Sequence, residues 1–377
     1  MFDAINRIIV IKLRHIGDVL LAVPAIRALK ETFPGASITA LVNSGTEEML
    51  SLNPLVDSVI PFDRKIKGQS LLGRAGKELG FVRALRARSF DMAVDLTGGD
   101  RPAILGLLSG ARYRLGYRPK GGFAGKKLLY THLAEPPSYG THTVLRDLGV
   151  VRPFGIDTRN LAVDIYASKE DDAFVSAILA QNGICDDTSF VHVHPTSRWM
   201  FKGWSDEGMA FVLDRIEEHG LRVVLTAGPA DVELKKVRSI IAMMKRKPVD
   251  LSGRLKLKHL VGLSSRAAFF FGVDSAPMHI AAATGRRVVA LFGPSGAFDW
   301  GPWPSEGFKK GAADGGFNSP YPAKGGVQYS GGNIVIQKDW QCVPCGKDGC
   351  GGTKRSRCLD ELDGKYVWSI IKEAFGL

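Results

Sequence analysis

The segment Phe269–Gly285, FFFGVDSAPMHIAAATG, constrains this chain most. Its approach, from Ala267 to Phe271, is an unbroken apolar run of the kind a parallel strand needs when both its faces are covered. Gly272 and Val273 close the run, and Asp274-Ser275-Ala276-Pro277 reads as a helix start. Pro277 suits the first turn, and Asp274 or Ser275 suits the cap. Met278 to Thr284 are mostly small or apolar, and Gly285 stops the helix. RRVVALFGPS then repeats the pattern, with a strand over 287–292 and a Gly-Pro turn. A strand feeding a capped helix offers free N–H groups and a partial positive charge at the carboxyl edge of its sheet, which suits phosphate. Asp274 suits sugar or ribose hydroxyls, and His279 lies one turn inside the helix. The same spacing also describes an ordinary βα unit.

Strand and helix alternate from the first residues. RIIVIKL (7–13) reads as a buried strand, Arg14 to Asp18 as a turn, and Val19 to Phe33 as a helix with apolar residues at helical spacing. Pro24 inside that helix predicts a kink or a later start. SITALVN (37–43) is a second strand, so the sheet is parallel with right-handed crossovers. A helix near 46–52 and strands at 56–62 and 91–96 follow. The stretch 64–90 is basic and helical at its back, and Thr97-Gly98-Gly99 closes the strand before it opens toward a ligand. Residues 111–127, ARYRLGYRPKGGFAGKK, read as a basic, flexible loop, and 141–150 as a helix.

After a linker at 152–163, the alternation resumes. A helix spans 168–182, and the strand 189–197 ends in His194-Pro195-Thr196-Ser197. A helix at 205–220, a strand at 221–231, a helix at 231–246, a short strand at 248–251 and a helix at 256–265 lead to the opening segment. Gly296 to Gly332 reads as a long glycine-rich loop, and Asp360 to Phe375 as a last helix.

The 377 residues suffice for two domains with separate cores. No apolar run approaches the ~20 residues that span a bilayer, and the N-terminus lacks the features of a signal peptide. A cytoplasmic location is therefore expected. A net charge of +12 asks for an anionic partner. An RNA-binding aromatic-basic module and a helix-turn-helix are both missing from the sequence, which sets nucleic acid aside. No GxGxxG follows the first strand, which weakens a dinucleotide reading. Cys342, Cys345, Cys350 and Cys358 crowd together as in a metal knuckle, but the second CxxC of a strong zinc motif is missing. A structural zinc or iron site, a disulfide and reduced thiols all fit that spacing.

Three stretches resemble the heptosyltransferases, the glycosyltransferases of family 9 that build the inner core of lipopolysaccharide. They are Asp274-Ser275-Ala276 with His279, the turn and helix RHIGDVLLAVPAIRALKETFP, and HPTSRWMFKGW. The resemblance covers most of the chain, and RYRLGY and the cysteine pattern accompany it. It implies a GT-B fold: two Rossmann-like doubly wound domains at 1–163 and 164–358, and a helix at 359–377 crossing back onto the first. It implies an inverting transfer of heptose from ADP-heptose to a lipid A-linked core acceptor at the inner-membrane surface, with no cofactor required. Asp18 matches the family's catalytic base, although an acid there also suits a helix cap. Lys202 matches the cation that stabilises the departing diphosphate. Thr196, Ser197, Arg198, Asp274, Ser275, Ala276 and His279 fall at the donor, with Asp231 or Glu233 near ribose or base. Trp199-Met200-Phe201 departs from the family pattern. Arg14, Arg112, Arg114, Arg118, Lys120 and His142 are assigned to the acceptor. A non-catalytic binding protein on a decayed scaffold and a nucleotide-sugar epimerase are the rival readings.

Overall fold

The computed structural model describes residues 2–63, 71–305 and 318–377. The chain divides into two compact units, one formed by residues up to Tyr139 with Thr143–Asp164, the other by Gly140–His142 with Ile165–Leu377. Among the described residues no helix is long and apolar enough to cross a membrane.

The first unit is a six-stranded parallel sheet. Its strands are β1 (Arg7–Lys12), β2 (Ser37–Asn43), β3 (Ser58–Phe62), β4 (Met92–Asp95), β5 (Tyr113–Tyr117) and β6 (His132–Ala134). Their spatial order is β3-β2-β1-β4-β5-β6. The order reverses between β1 and β4, and that switch point opens a crevice at the carboxyl ends of the two strands. Ile8 to Ile11 are fully buried because helices cover both sheet faces.

The predicted helix at 19–33 is two helices, Ile16–Leu20 and Val23–Thr32. Pro24 has no N–H to donate, so it sits in the first turn of the second helix, and the chain breaks at Leu21-Ala22. The predicted helix near 46–52 shortens to a 3-10 turn, Glu47–Met49. The expected loop at 111–127 contains β5, where Arg114 and the flanking Arg112 and Arg118 mask an alternation of buried Tyr113 and Leu115 with half-buried Arg114. Most of the basic front of the 64–90 stretch lies outside the described residues, and its back is the helix Leu71–Arg86.

The second unit holds β7 (Phe190–His194), β8 (Arg222–Leu225), β9 (Val249–Asp250), β10 (Phe269–Val273), β11 (Val288–Phe292), β12 (Gly326–Ser330) and β13 (Asn333–Gln337). Their order is β12-β13-β11-β10-β7-β8-β9. It repeats the first unit's winding, with β12 added antiparallel at the edge. Here the switch point lies between β7 and β10.

The apolar run that opened the sequence reading divides by strand alternation. Phe269 and Phe271 join Val191, Val193 and Leu291 in one core, while Phe270 joins Met278, Ala290 and Phe292 in the other. The first strand of the hairpin β12–β13 was hidden in the expected loop because glycines stand on both sides of it, at 325–326 and 331–332.

The last helix, Gly364–Phe375, belongs to the second unit. Val367, Ile370 and Ile371 join the core that contains Val212 and Leu213 of the helix Asp206–Glu218. Phe375 stacks on Phe269 with ring centroids 3.9 Å apart, and Arg287 covers Phe375 at 4.0 Å. Its strongly apolar stripe finds a partner inside its own unit.

One charged pair lies deep in the first unit. Lys12, at the end of β1, donates to both oxygens of Asp147 at 2.6 Å and to the Leu96 carbonyl at 3.1 Å. Burial pushes the Asp147 carboxyl up to about 6 against the pull of Lys12, and the charge of Asp18 adds to the rise. Removing one partner of such a pair typically costs about 3–5 kcal/mol. Lys12→Met is therefore expected to lower the melting temperature strongly at pH 8. A carboxyl whose folded pKa is raised loses stability as pH rises through that value, so the deficit should shrink toward pH 5. Melting curves of wild type and variant across that range check both points, and a pH-independent deficit refutes the second.

Candidate functional site

In the first unit the chemistry gathers where β1 and β4 end. Asp18 is the third residue of the helix Ile16–Leu20, half-buried, and its Oδ2 accepts from the His15 N–H at 3.4 Å. That weak cap leaves carboxylate capacity for a ligand. Asp18 also lies close enough to Asp147 to repel it. The Thr97 hydroxyl accepts from Leu13 N–H at 2.7 Å and donates to the Ile11 carbonyl at 3.1 Å, stitching the two strand ends together. Exposed Arg14 donates to the Thr97 carbonyl at 2.8 Å, which lays its guanidinium beside the same crevice.

Buried Asp95 organises the neighbouring loop. It accepts from Thr97 N–H, Gly98 N–H and the Tyr130 hydroxyl at 2.8, 2.9 and 2.6 Å. Burial raises its pKa and these bonds oppose the rise. Gly98, Gly99, Arg118, Lys120, Lys126 and Tyr130 line a cavity of about 420 Å³ within this unit. Two expected acceptor cations, Arg118 and Lys120, therefore share one basic hollow. Lys126, from the same basic stretch, joins them from a buried position, 3.3 Å from Asp100.

Other acceptor assignments change. Arg114 spends its guanidinium on the Leu129 and Ala111 carbonyls at 2.6 and 2.7 Å, so it braces the strand edge. Arg112 is exposed and covers the Tyr113 ring at 4.8 Å, outside the hollow's lining. His142 is fully buried in the second unit, with Nε2 3.0 Å from the Gly301 carbonyl and its ring against Trp303. Burial on all sides makes it a packing histidine, not an acceptor contact.

In the second unit, the turn after β7 meets the turn after β10. Lys202 sits in a 3-10 turn, and its Nζ reaches Asp274 Oδ2 at 2.6 Å across the switch point. Ser295, in the turn after β11, donates to the same oxygen. Asp274 is buried and Lys202 half-buried, so the cation is held at the N-terminal end of the helix Ala276–Ala283. Ser275 caps that helix with extended backbone, and among the described residues its buried hydroxyl has no hydrogen-bond partner. An ammonium, free helix N–H groups and an idle hydroxyl together form an anion site. Ala276 leaves the approach open, while His279 is buried inside the helix.

The donor-side pairs separate as well. Thr196 is fully buried and donates to Glu233 Oε2 at 2.7 Å. Ser197 is buried and takes the Trp199 N–H at 3.3 Å, whereas Arg198 is exposed. Asp231 begins the helix Asp231–Met243 in an exposed position, and Glu233 turns inward. Gly228 is required here, because a Cβ would lie 2.6 Å from Glu233 Oε1.

Cys342, Cys345 and Cys350 are exposed, whereas Cys358 is buried with its thiol pushed up to about 11. Burial is the main cause, and the other three sulfurs add to it. Among the described residues no three His, Cys, Asp or Glu side chains are placed to hold a metal ion, so the metal reading of the cluster finds no support.

The sequence reading missed Ser295 and Asp147. A lysine ending an otherwise apolar strand was the available signal for Asp147, because a charge buried there needs a partner.

Two doubly wound units, the second with an anion site at its switch point, are the architecture of GT-B glycosyltransferases. The structure superposes on a family 9 glycosyl transferase from Veillonella parvula with a TM-score of 0.77 at 22% identity, covering 98% of this chain and 97% of that one. It also matches the Escherichia coli heptosyltransferase WaaC solved with ADP, with a TM-score of 0.69 at 18% identity, covering 98% and 99%. Lipopolysaccharide heptosyltransferase 3 of E. coli K12 is 33% identical over 77% of this chain and 83% of its own length. The family model for glycosyltransferase family 9 (heptosyltransferase) matches residues 79–308. The chain belongs to glycosyltransferase family 9, and it is a glycosyltransferase.

Lys202→Ala removes a charge-assisted contact worth about 1.5–3 kcal/mol. Calorimetry with a nucleoside diphosphate should show weaker binding, and turnover should fall further if the charge serves the departing group. Unchanged binding and turnover would return Lys202 to a purely structural partner of Asp274.

Proposed function

We propose that this protein transfers heptose from ADP-heptose to the inner core of lipopolysaccharide in a single inverting displacement. The observation that carries the reading is the Lys202–Asp274 contact at the start of the helix Ala276–Ala283. It fixes the Lys202 ammonium beside a helix N-terminus, where the cation's remaining N–H donors and the helix dipole face a diphosphate, and WaaC, a structural neighbour, was solved with ADP. In this reading the Ser275 hydroxyl and the first helix N–H groups bind the diphosphate. Lys202 neutralises the charge that grows on it as the sugar–oxygen bond breaks. Thr196 and Ser197 shape the floor, and Glu233 rather than exposed Asp231 accepts the ribose hydroxyls.

Asp18 is the base. As the acceptor hydroxyl attacks the anomeric carbon, its proton passes to the carboxylate. Asp18→Asn keeps size and capping capacity but removes basicity. Turnover is expected to fall by roughly 10²–10⁴ with donor binding unchanged. Measuring ADP release with and without a truncated core acceptor separates the readings. Release that depends on acceptor supports transfer, whereas an isomerised donor without acceptor supports the epimerase. Near wild-type turnover in Asp18→Asn makes Asp18 a helix cap only.

The basic hollow of the first unit serves the acceptor's phosphates and carboxylates. Exposed Phe123 and Leu128 on the same loop favour peripheral attachment to the cytoplasmic face of the inner membrane. Replacing Arg118 and Lys120 together by Ala should raise the acceptor KM and reduce co-sedimentation with anionic vesicles, with ADP affinity unaltered. Equal loss of donor and acceptor affinity argues against this division.

A further inference from the structure

β7 carries two histidines at alternate positions, His192 and His194, so both point to one face of the sheet. They belong to a continuous buried chain. Ser264 Oγ lies 2.8 Å from His192 Nδ1, and His192 Nε2 lies 2.9 Å from Thr226 Oγ1. Thr226 Oγ1 lies 2.9 Å from His194 Nδ1, and His194 Nε2 lies 3.4 Å from Thr196 Oγ1. Thr196 then reaches Glu233 Oε2 at 2.7 Å. All six residues are buried, with Ser264, His192 and Thr196 fully so.

One boundary condition orders the protons in this chain. A carboxylate only accepts, so Thr196 gives its single hydroxyl proton to Glu233. His194 then donates from Nε2, and a neutral imidazole has one N–H, so its Nδ1 is an acceptor. Thr226 Oγ1 has two acceptors in reach, the Val193 carbonyl at 3.3 Å and His194 Nδ1 at 2.9 Å, and the shorter contact takes its proton. Thr226 in turn accepts from His192 Nε2–H, and His192 Nδ1 accepts from Ser264. Five donors thus point one way and end on Glu233. Burial holds both rings neutral, with His194 lowered to about 3 and His192 lowered well below its usual value. Among the described residues Glu233 Oε1 takes no hydrogen bond, so one oxygen is fixed and the other is open.

We propose that Ser264, His192, Thr226, His194 and Thr196 form a directed hydrogen-bond relay that holds Glu233 as an oriented, acceptor-only carboxylate for a ribose diol. Thr226 and His194 are then positioning residues for recognition of a ribonucleotide. The relay rests on the assignment of Glu233 to ribose, and the test keeps the two apart.

Calorimetry compares ADP with 2′-deoxy-ADP and 3′-deoxy-ADP on wild type, Glu233→Gln, Thr226→Val and Thr226→Ser. Wild type should prefer ADP over at least one deoxy analogue by about tenfold or more, the worth of a hydrogen bond to a charged group. Glu233→Gln should bring that preference close to one. Thr226→Val, folded by its melting curve, should reduce it about threefold or more, and Thr226→Ser should restore it. A preference that survives Glu233→Gln overturns the ribose assignment itself. A preference lost in Glu233→Gln but intact in Thr226→Val overturns the relay alone. If Thr226→Val does not fold, the wild-type histidine tautomers decide, read from ¹⁵N chemical shifts in selectively labelled protein. Both rings must be Nε2–H forms, and an Nδ1–H form at either His192 or His194 overturns the relay.

Discussion

A parallel sheet cannot turn back on itself in two residues, and this constraint governs the molecule. Each strand must be followed by a crossover that returns the chain to the same starting edge. The crossover helices bury both sheet faces, so polar chemistry is confined to the turns that leave the carboxyl ends of the strands. The winding reverses once in each unit, between β1 and β4 and between β7 and β10. Asp18 and Thr97 stand at the first reversal, Lys202 and Asp274 at the second. Residues 72 positions apart, as Lys202 and Asp274 are, meet because the strands before them are neighbours.

The interior is nonetheless not wholly apolar. Lys12 with Asp147, Asp95, and the histidines of β7 all lie where water does not reach. Each group is tolerated because its donors and acceptors are matched by others close by, which removes most of the desolvation penalty. All of these clusters lie directly beneath the turns that carry the proposed chemistry. Such networks resist small displacements, and a carboxylate or hydroxyl standing on one inherits that rigidity.

Much of this was legible in the chain, and the reasons differ by element. β10 and β11 are continuous apolar runs between clear turn residues, and Phe269–Gly285 announced both a strand and the helix that follows it. β5 was obscured because Arg112, Arg114 and Arg118 crowd it and glycines follow soon after at 121–122, which mimics a loop. β12 was obscured by the glycines on both sides of it. The last helix was placed on the wrong unit, since an amphipathic stripe shows that a helix is covered but not by what. His142 was assigned to a ligand because a histidine's burial is a tertiary fact. Asp147 and Ser295 act through side chains far away in sequence, and no local pattern marks such partners.

The excursion of Gly140–His142 into the second unit has a consequence for how the chain can be divided. The backbone enters that unit, leaves it after three residues and enters again at Ile165. His142 is anchored there through its N–H to Asn318 at 3.0 Å and its ring to Gly301 at 3.0 Å. A fragment begun at residue 165 lacks this strap, leaving the face of Trp303 uncovered. The two units are consequently not separable modules in the sense of beads on a string. A faithful excision of either one needs a permuted or grafted chain that carries the three residues with it.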